Sequence, residues 1–327
     1  MHVLVIGAAG MIGRKLVARL VADGGLGGRK LGRLSLVDVV APEMPTGIEG
    51  RAWAADLSAS GEAACMVGTR PDVIFHLAAI VSGEAEADFD KGYRINLDGT
   101  RFLFEAIRQE GLRNPGYAPR VVFTSSIAVF GAPFPEAIGD EFFTTPLTSY
   151  GTQKAIGELL LADYSRRGFF DGIGIRLPTI CIRPGTPNKA ASGFFSSILR
   201  EPLAGQPAVL PVPDTVMHWH ASPRAAVGFL VHAATLDTQP LGARRNLTMP
   251  GLAATVAEQI EALRRVAGDK AVALIRREPD ETVARIVAGW PRRFEAKRAE
   301  ALGFKAEKTF DEIIRAHVED ELGGRVA

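Results

Sequence analysis

His2-Val3-Leu4-Val5-Ile6-Gly7-Ala8-Ala9-Gly10-Met11-Ile12-Gly13 opens the chain with a strand-like apolar run, followed at once by three spaced glycines and a helix-like stretch. That order decides the fold. Gly7 permits a tight turn, Gly10 lets the backbone approach a pyrophosphate, and Gly13 allows the following helix to pack closely. Met11 and Ile12 begin that helix, whose free N–H groups and positive end suit phosphate oxygens. Glycine-rich turns often bind nothing. The placement of this one directly after a strand is what makes it a dinucleotide loop.

Working outward, apolar strand-like runs alternate with amphipathic segments through the first 180 residues. Strands are expected at His2 to Ile6, Leu34 to Asp38, Arg51 to Ala54, Asp72 to His76, Arg120 to Ser125 and Gly172 to Leu177. Helices are expected at Met11 to Asp23, Phe89 to Glu110 and Ser149 to Arg166. Continuous apolar strands such as Val121-Val122-Phe123 suit a parallel sheet covered on both faces, and the alternation predicts an α/β doubly wound parallel sheet. Seven prolines between 183 and 223, among them Pro184, Pro187 and Pro211, predict loops with short elements there. A helix from Pro223 to Leu236 and a strand from Arg245 to Met249 follow, then a mostly helical, charged stretch from Ala253 to Leu322. The expected domains are 1–178 with about 221–249 for the dinucleotide, and a smaller, mostly helical substrate domain of 179–220 with 250–327.

Composition narrows the partner. The 327 residues are 47% apolar and 23% charged with a formal net charge of +1, so no basic excess suggests a nucleic-acid partner. No apolar run approaches membrane-spanning length. Cys65 and Cys181 are far apart, which argues against a disulfide framework and fits a cytoplasmic protein.

Asp38 ends the second strand, 25 residues past Gly13, where a carboxylate can bind both ribose hydroxyls and repel a 2′-phosphate. Val39 and Val40 offer no cation, so NAD is expected rather than NADP. A strand-end aspartate that merely caps a turn is the plainer alternative. Asp56-Leu57, after the third strand, is either an adenine contact or a helix start. Tyr150-Gly-Thr-Gln-Lys154 sets two side chains four apart on one helix face. A tyrosine is a poor base near neutrality, and an adjacent ammonium shifts its proton transfer toward neutral pH. Thr124-Ser125-Ser126 ends a buried strand, at the edge where such sheets bind ligands. Ser82, Ser126, Tyr150, Thr179 and Arg183 are the candidate substrate contacts, with Arg183 able to grip a carboxylate or to be a surface arginine. His218-Trp219-His220 reads as a strand with both histidines on one face, and no third ligand for a metal is evident.

Glycine loop, strand-end serines and the tyrosine–lysine pair, in this order, resemble the extended short-chain dehydrogenase/reductases, the NAD-dependent epimerase/dehydratase-like group, over essentially the whole chain. The resemblance implies a Rossmann sheet, Tyr150 as general acid/base, Lys154 as its partner bonded to the nicotinamide ribose, and Ser126 as the catalytic serine. It also implies cofactor contacts from Leu77, Ala78 and Ala79 in His76-Leu-Ala-Ala79, from Asn96 and from Pro178. Phe130 stands where the family more often has tyrosine. Gly24 to Lys30, Ala79 to Glu84 and Arg176 to Gly185 resemble members that oxidise a small sugar acid at its C2 hydroxyl. A homodimer is implied through the helices at 89–110 and 149–166, with Phe102, Leu103, Leu159 and Leu160 at or behind the seam. Two rivals stand beside this reading: a sugar-nucleotide epimerase or dehydratase that holds its NAD, and a catalytically silent NAD sensor, which has no need of Tyr150 and Lys154.

Overall fold

The structure is a computed structural model and describes residues 1–185 and 192–327. Pro187 lies outside the described residues. Ten strands carry the architecture: β1 (His2–Ile6), β2 (Arg33–Asp38), β3 (Gly50–Ala54), β4 (Val73–His76), β5 (Arg120–Ser126), β6 (Asp171–Leu177), β7 (Thr179–Ile180), β8 (Met217–Ala221), β9 (Asn246–Thr248) and β10 (Leu252–Thr255). The longer helices are α1 (Met11–Ala22), α2 (Gly99–Arg113), α3 (Ser149–Arg166), α4 (Gly193–Leu203), α5 (Pro223–Thr235), α6 (Val256–Val272) and α7 (Phe310–Glu321).

Two compact units share the chain. The first comprises Met1–Val129, Pro146–Arg176 and Val227–Thr248; the second comprises Phe130–Thr145, Leu177–Ala226 and Met249–Ala327. Phe130–Thr145, which the sequence reading assigns to the first domain, belongs to the second.

In the first unit a seven-stranded sheet has the order β9-β6-β5-β4-β1-β2-β3. The pairs β1–β2, β1–β4, β2–β3, β4–β5 and β6–β9 are parallel. This is the doubly wound Rossmann order with one added edge strand, and the winding reverses between β1 and β4. Both faces are covered, as the unbroken apolar strands require: Val3, Leu4 and Val5 are all completely buried. On one face Leu4, Ile6, Ile74, Val121 and Phe123 pack with Leu103, Phe104 and Ile107 of α2 and Leu161 of α3. Leu103 is therefore a core residue, whereas Leu159 is 70% exposed.

The stretch expected as one helix from Phe89 to Glu110 is three pieces: a turn at Phe89–Gly92, a π-helical turn at Tyr93–Asp98, and α2. The widened turn carries buried Asn96, whose carbonyl accepts from the Thr100 hydroxyl at 2.7 Å. π-Turns inside helices frequently mark functional positions.

The second unit has its own three-stranded sheet, ordered β10-β8-β7, with β8 parallel to β7 and antiparallel to β10. The start of the stretch expected to be helical is thus a strand, because Leu252–Thr255 finds its backbone partners along β8. Phe194, Phe195, Ile198, Ile260, Leu263, Phe310, Ile313 and Ile314 from α4, α6 and α7 form the core here. Among the described residues no helix is long and apolar enough to cross a membrane.

Candidate active site

The glycine loop is built by close backbone approach. Gly7 has φ +92°, and a Cβ there would lie 2.7 Å from the Ala78 nitrogen. A Cβ on Gly13 would lie 2.1 Å from the Gly7 carbonyl oxygen, so this glycine seats α1 on its own loop rather than on the strand. Gly10 is the N-cap of α1 and supplies no side-chain cap, which leaves the first N–H groups of α1, beginning at Met11 and Ile12, without intrahelical acceptors. The loop is pinned from the neighbouring strand: Gly7 N–H donates to the Val37 carbonyl at 2.8 Å, and Ala9 N–H donates to Asp38 Oδ2 at 2.9 Å.

Asp38 thus has a structural task of its own, since Val39 N–H also donates to its Oδ1 at 2.7 Å. Each carboxylate oxygen still has acceptor capacity for a ribose hydroxyl. Val39 and Val40 are both 67% exposed and bring no positive charge. Asp56 is engaged locally: Ser58 donates to it through N–H and hydroxyl, and Arg94 donates at 2.7 Å. Leu57 beside it is buried. The cradle, its open helix end and the strand-end carboxylate fit a dinucleotide.

Leu77 to Ala79 continue from β4, with Leu77 N–H donating to the Ile6 carbonyl at 2.8 Å. Asn96 acts on the far end of this loop. Its Oδ1 accepts from Ile80 N–H at 2.9 Å and its Nδ2 donates to the Ile80 carbonyl at 3.1 Å and to Gln153 Oε1 at 2.7 Å. Its side chain therefore positions the loop that the resemblance sets along the cofactor. Ser82 opens a short helix, Ser82–Ala87, just beyond.

Tyr150 stands in the first turn of α3, whose N-cap Thr148 accepts from Gly151 N–H at 3.0 Å. The positive end of the helix favours a phenolate there. Two glycines let α3 approach β5. A Cβ on Gly151 would lie 2.2 Å from the Ala128 carbonyl oxygen, and one on Gly157 would lie 2.8 Å from the Phe123 ring. With the helix that close, Ser126 pulls the Tyr150 pKa down, and Ser126 Oγ accepts from Ala128 N–H at 3.1 Å.

Lys154 is buried and donates from Nζ to the Thr124 carbonyl at 2.8 Å, 5.8 Å from the centre of the Tyr150 ring and 5.0 Å from that of Phe123. Burial pushes the Tyr150 phenol up to about 12, against the pull of the Ser126 hydrogen bond. Burial also brings the Lys154 ammonium down to about 8, opposed by the charge of Glu158. Glu158, one turn on, accepts from Ser125 at 2.6 Å and from both arms of Arg176 at 2.8 and 2.7 Å. The three strand-end hydroxyls therefore divide their work. Ser126 is the one that acts on the Tyr150 pKa, Ser125 serves Glu158, and Thr124 donates to the His76 carbonyl at 3.0 Å.

Pro178, Thr179 and Arg183 belong to the second unit. Thr179 Oγ1 lies 2.7 Å from His218 Nε2, and His218 Nδ1 lies 2.8 Å from the Pro291 carbonyl. His218 and His220 do share a face of β8, with ring centres 5.5 Å apart. Arg183 reaches Ser192 Oγ at 3.3 Å and has no carboxylate partner among the described residues, while burial and the charge of Arg200 lower its affinity for its proton. The sequence reading did not single out Gly151, Gly157, Gln153, Glu158 or the tie between Thr179 and His218. A signal existed for one of these. Gly157 lies seven residues from Tyr150 and three from Lys154, on the same helix face.

Residues 3–220 match the NAD dependent epimerase/dehydratase family. A curated protein of Cupriavidus necator named D-erythronate dehydrogenase is 48% identical over 98% of both chains. A Haemophilus influenzae protein of the same name is 42% identical over 98% of this chain and 100% of its own. A crystal structure described as the nucleoside-diphosphate-sugar epimerase from Agrobacterium tumefaciens is 70% identical, with a TM-score of 0.98, over 100% of this chain and 96% of that one. The match across two thirds of the sequence, on a glycine cradle that fits a dinucleotide, makes this chain a member of the NAD dependent epimerase/dehydratase family, an oxidoreductase that works with NAD.

Proposed function

We propose that the chain oxidises the C2 hydroxyl of D-erythronate to the 2-oxo acid, with Tyr150 as base. The arrangement of Tyr150, Ser126 and Lys154 carries the reaction type, and the end-to-end likeness to two relatives named for that activity carries the substrate. NAD, when bound, would supply the hydride acceptor. The remaining work is moving a proton and holding charge. The Tyr150 phenolate takes the proton of the substrate hydroxyl while Ser126 holds the same oxygen by hydrogen bond. Lys154, fixed by the Thr124 carbonyl, and the N-terminus of α3 both stabilise the phenolate against the desolvation that raises its pKa. Ser82, in the same unit as these three side chains, takes a further hydroxyl of the acid. Asp38 holds the adenosine ribose. The same reading includes a homodimer, supported by exposed Leu112 on α2 and Leu159 on α3.

The description of the Agrobacterium tumefaciens structure favours a second reading, epimerisation of a nucleotide sugar with NAD retained. Incubating purified protein with NAD and either D-erythronate or a nucleotide sugar separates the two. One NADH formed per acid consumed supports the dehydrogenase. A new sugar isomer without net NADH, and no turnover of any aldonate, overturns it.

A further inference from the structure

We propose that the amino-terminal edge of the seven-stranded sheet carries a second binding site, for a phosphate group, built by Arg33 and Arg70 beside His2, Thr69 and Asn114. The cleft they line has a volume of about 460 Å³ and lies wholly within the first unit. His2 and Arg33 are register partners at the starts of β1 and β2. The glycine loop follows the other end of β1, five residues or about 16 Å along the strand, so this site is separate from the dinucleotide cradle.

Charge balance singles out the two arginines. Two carboxylates stand near the cleft, and each has its own arginine. Asp72 accepts from Arg29 at 2.7 Å and from the His2 N–H at 2.6 Å. Glu110 lies 3.6 Å from Arg113 and accepts from Asn114 Nδ2 at 2.7 Å. The Arg33 guanidinium has no hydrogen bond or ion pair among the described residues. The Arg70 guanidinium donates to Asn114 Oδ1 at 3.4 Å, and the bond from Asn114 Nδ2 to Glu110 is what turns that oxygen toward it. Among the described residues no carboxylate lines the cleft itself. Two unmatched guanidiniums at one concave surface offer the forked N–H donors that phosphate oxygens take, and concavity concentrates their field.

The backbone at Arg70 is an independent observation. Its φ is +51°, and among the described residues no other side-chain-bearing residue has a positive φ. Arg70 closes the turn after the short helix Glu62–Val67, where its N–H donates to the Val67 carbonyl at 2.8 Å. Just past the ends of α3 and α4 the left-handed conformation goes instead to Gly168 and Gly205, as the steric cost of a Cβ there favours. An arginine kept where glycine fits freely points to a use for its side chain.

His2 gauges the charge in the cleft from its floor. Its Nε2 lies 2.8 Å from Ser35 Oγ. Burial lowers its pKa, and the charges of Arg33 and the Met1 amine lower it further, while the Thr69 carbonyl and Asp72 raise it. A phosphate held between Arg33 and Arg70 offsets the Arg33 field, so the His2 pKa moves back up when the site fills.

The test titrates inorganic phosphate, and separately glycerol 3-phosphate, into the wild type saturated with NAD, so that the glycine loop is already filled. The His2 imidazole is followed by NMR. A Kd below about 5 mM in physiological salt is expected, with the His2 pKa rising as the site fills. Arg33→Gln and Arg70→Gln should each weaken binding by about tenfold or more. Arg101→Gln, which removes an arginine already beside Asp98, should leave it within about twofold. Arg70→Gly separates side chain from backbone and should lose binding as Arg70→Gln does, with no fall in Tm. An ester that binds no tighter than phosphate assigns the site to the free ion, and a tighter ester assigns it to a phosphorylated metabolite. A Kd above about 5 mM for both probes overturns the proposal. So does binding that survives both arginine variants, a loss as large in Arg101→Gln, a His2 pKa that stays put, or an Arg70→Gly variant that loses Tm instead of binding.

Discussion

The two units bury polar side chains in different ways. The first takes formal charges inside and pairs them. Lys154 is tied to a carbonyl, and Glu158 is locked between Arg176 and Ser125. The second buries two imidazoles side by side and keeps both neutral, with His218 and His220 held by a carbonyl, a hydroxyl and an amide. A buried charge is costly, and the one at Lys154 sits beside the phenol proposed as the base. A neutral ring costs less to bury and fixes the direction of a hydrogen bond. The first arrangement suits proton transfer and the second suits recognition.

The largest effect expected falls on the charged side of this contrast. Tyr150→Phe should lower turnover by about a thousandfold or more while NAD still binds, measured by steady-state kinetics beside a cofactor titration. Near-normal turnover removes the tyrosine from the mechanism.

Glu158→Gln probes the buried pairing next. It takes the carboxylate charge from an arginine whose side chain is 13% exposed, and should cost about 3 kcal/mol in urea unfolding. The same variant should lower the Lys154 pKa further, because Glu158 raises it. A cost below about 1 kcal/mol shows that the pair contributes little to the fold.

Acid tests the neutral side. Folded His218 titrates at about 4 and His76 at about 3, both below the ordinary 6.5, and His220 lies well below it too. Their stabilisation is fully present above pH 6.5 and is lost as pH falls toward the folded values, at about 2 kcal/mol per histidine by pH 5. His218 and His220 share the second unit and His76 lies in the first. Hydrogen exchange at pH 5 should therefore show the second unit loosening first. Uniform protection at pH 5 and pH 7 contradicts this.

Thr148→Ala should have the smallest effect. It removes the cap at the N-terminus of α3 and should cost about 1 kcal/mol, read as a small fall in Tm with a modest loss of turnover. An unchanged Tm shows that packing alone holds this helix end.

Much of the first unit was legible because its signals are local. An apolar strand, a glycine turn and a helix follow one another in the chain, and Tyr150 and Lys154 meet through helical periodicity alone. The π-turn at Tyr93–Asp98 was not legible, since a widened helical turn needs tertiary partners such as Ile80 and Gln153 to hold it. The strand at Leu252–Thr255 was missed for a related reason. Its alanines favour a helix, and only pairing with β8 overrides that.

By itself the sequence determined strand and helix order in the sheet, the glycine loop, the carboxylate at Asp38 and the tyrosine–lysine pair, because each depends on neighbours within one or two elements. Tertiary structure alone decided that Ser125 serves Glu158 while Thr124 serves the His76 carbonyl, that the Asn96 side chain holds a loop, and that Thr179 Oγ1 lies against His218 Nε2. Those choices depend on which donors and acceptors come within 3 Å of each other across distant segments, and hydrogen-bond direction is set by the partner rather than by residue type.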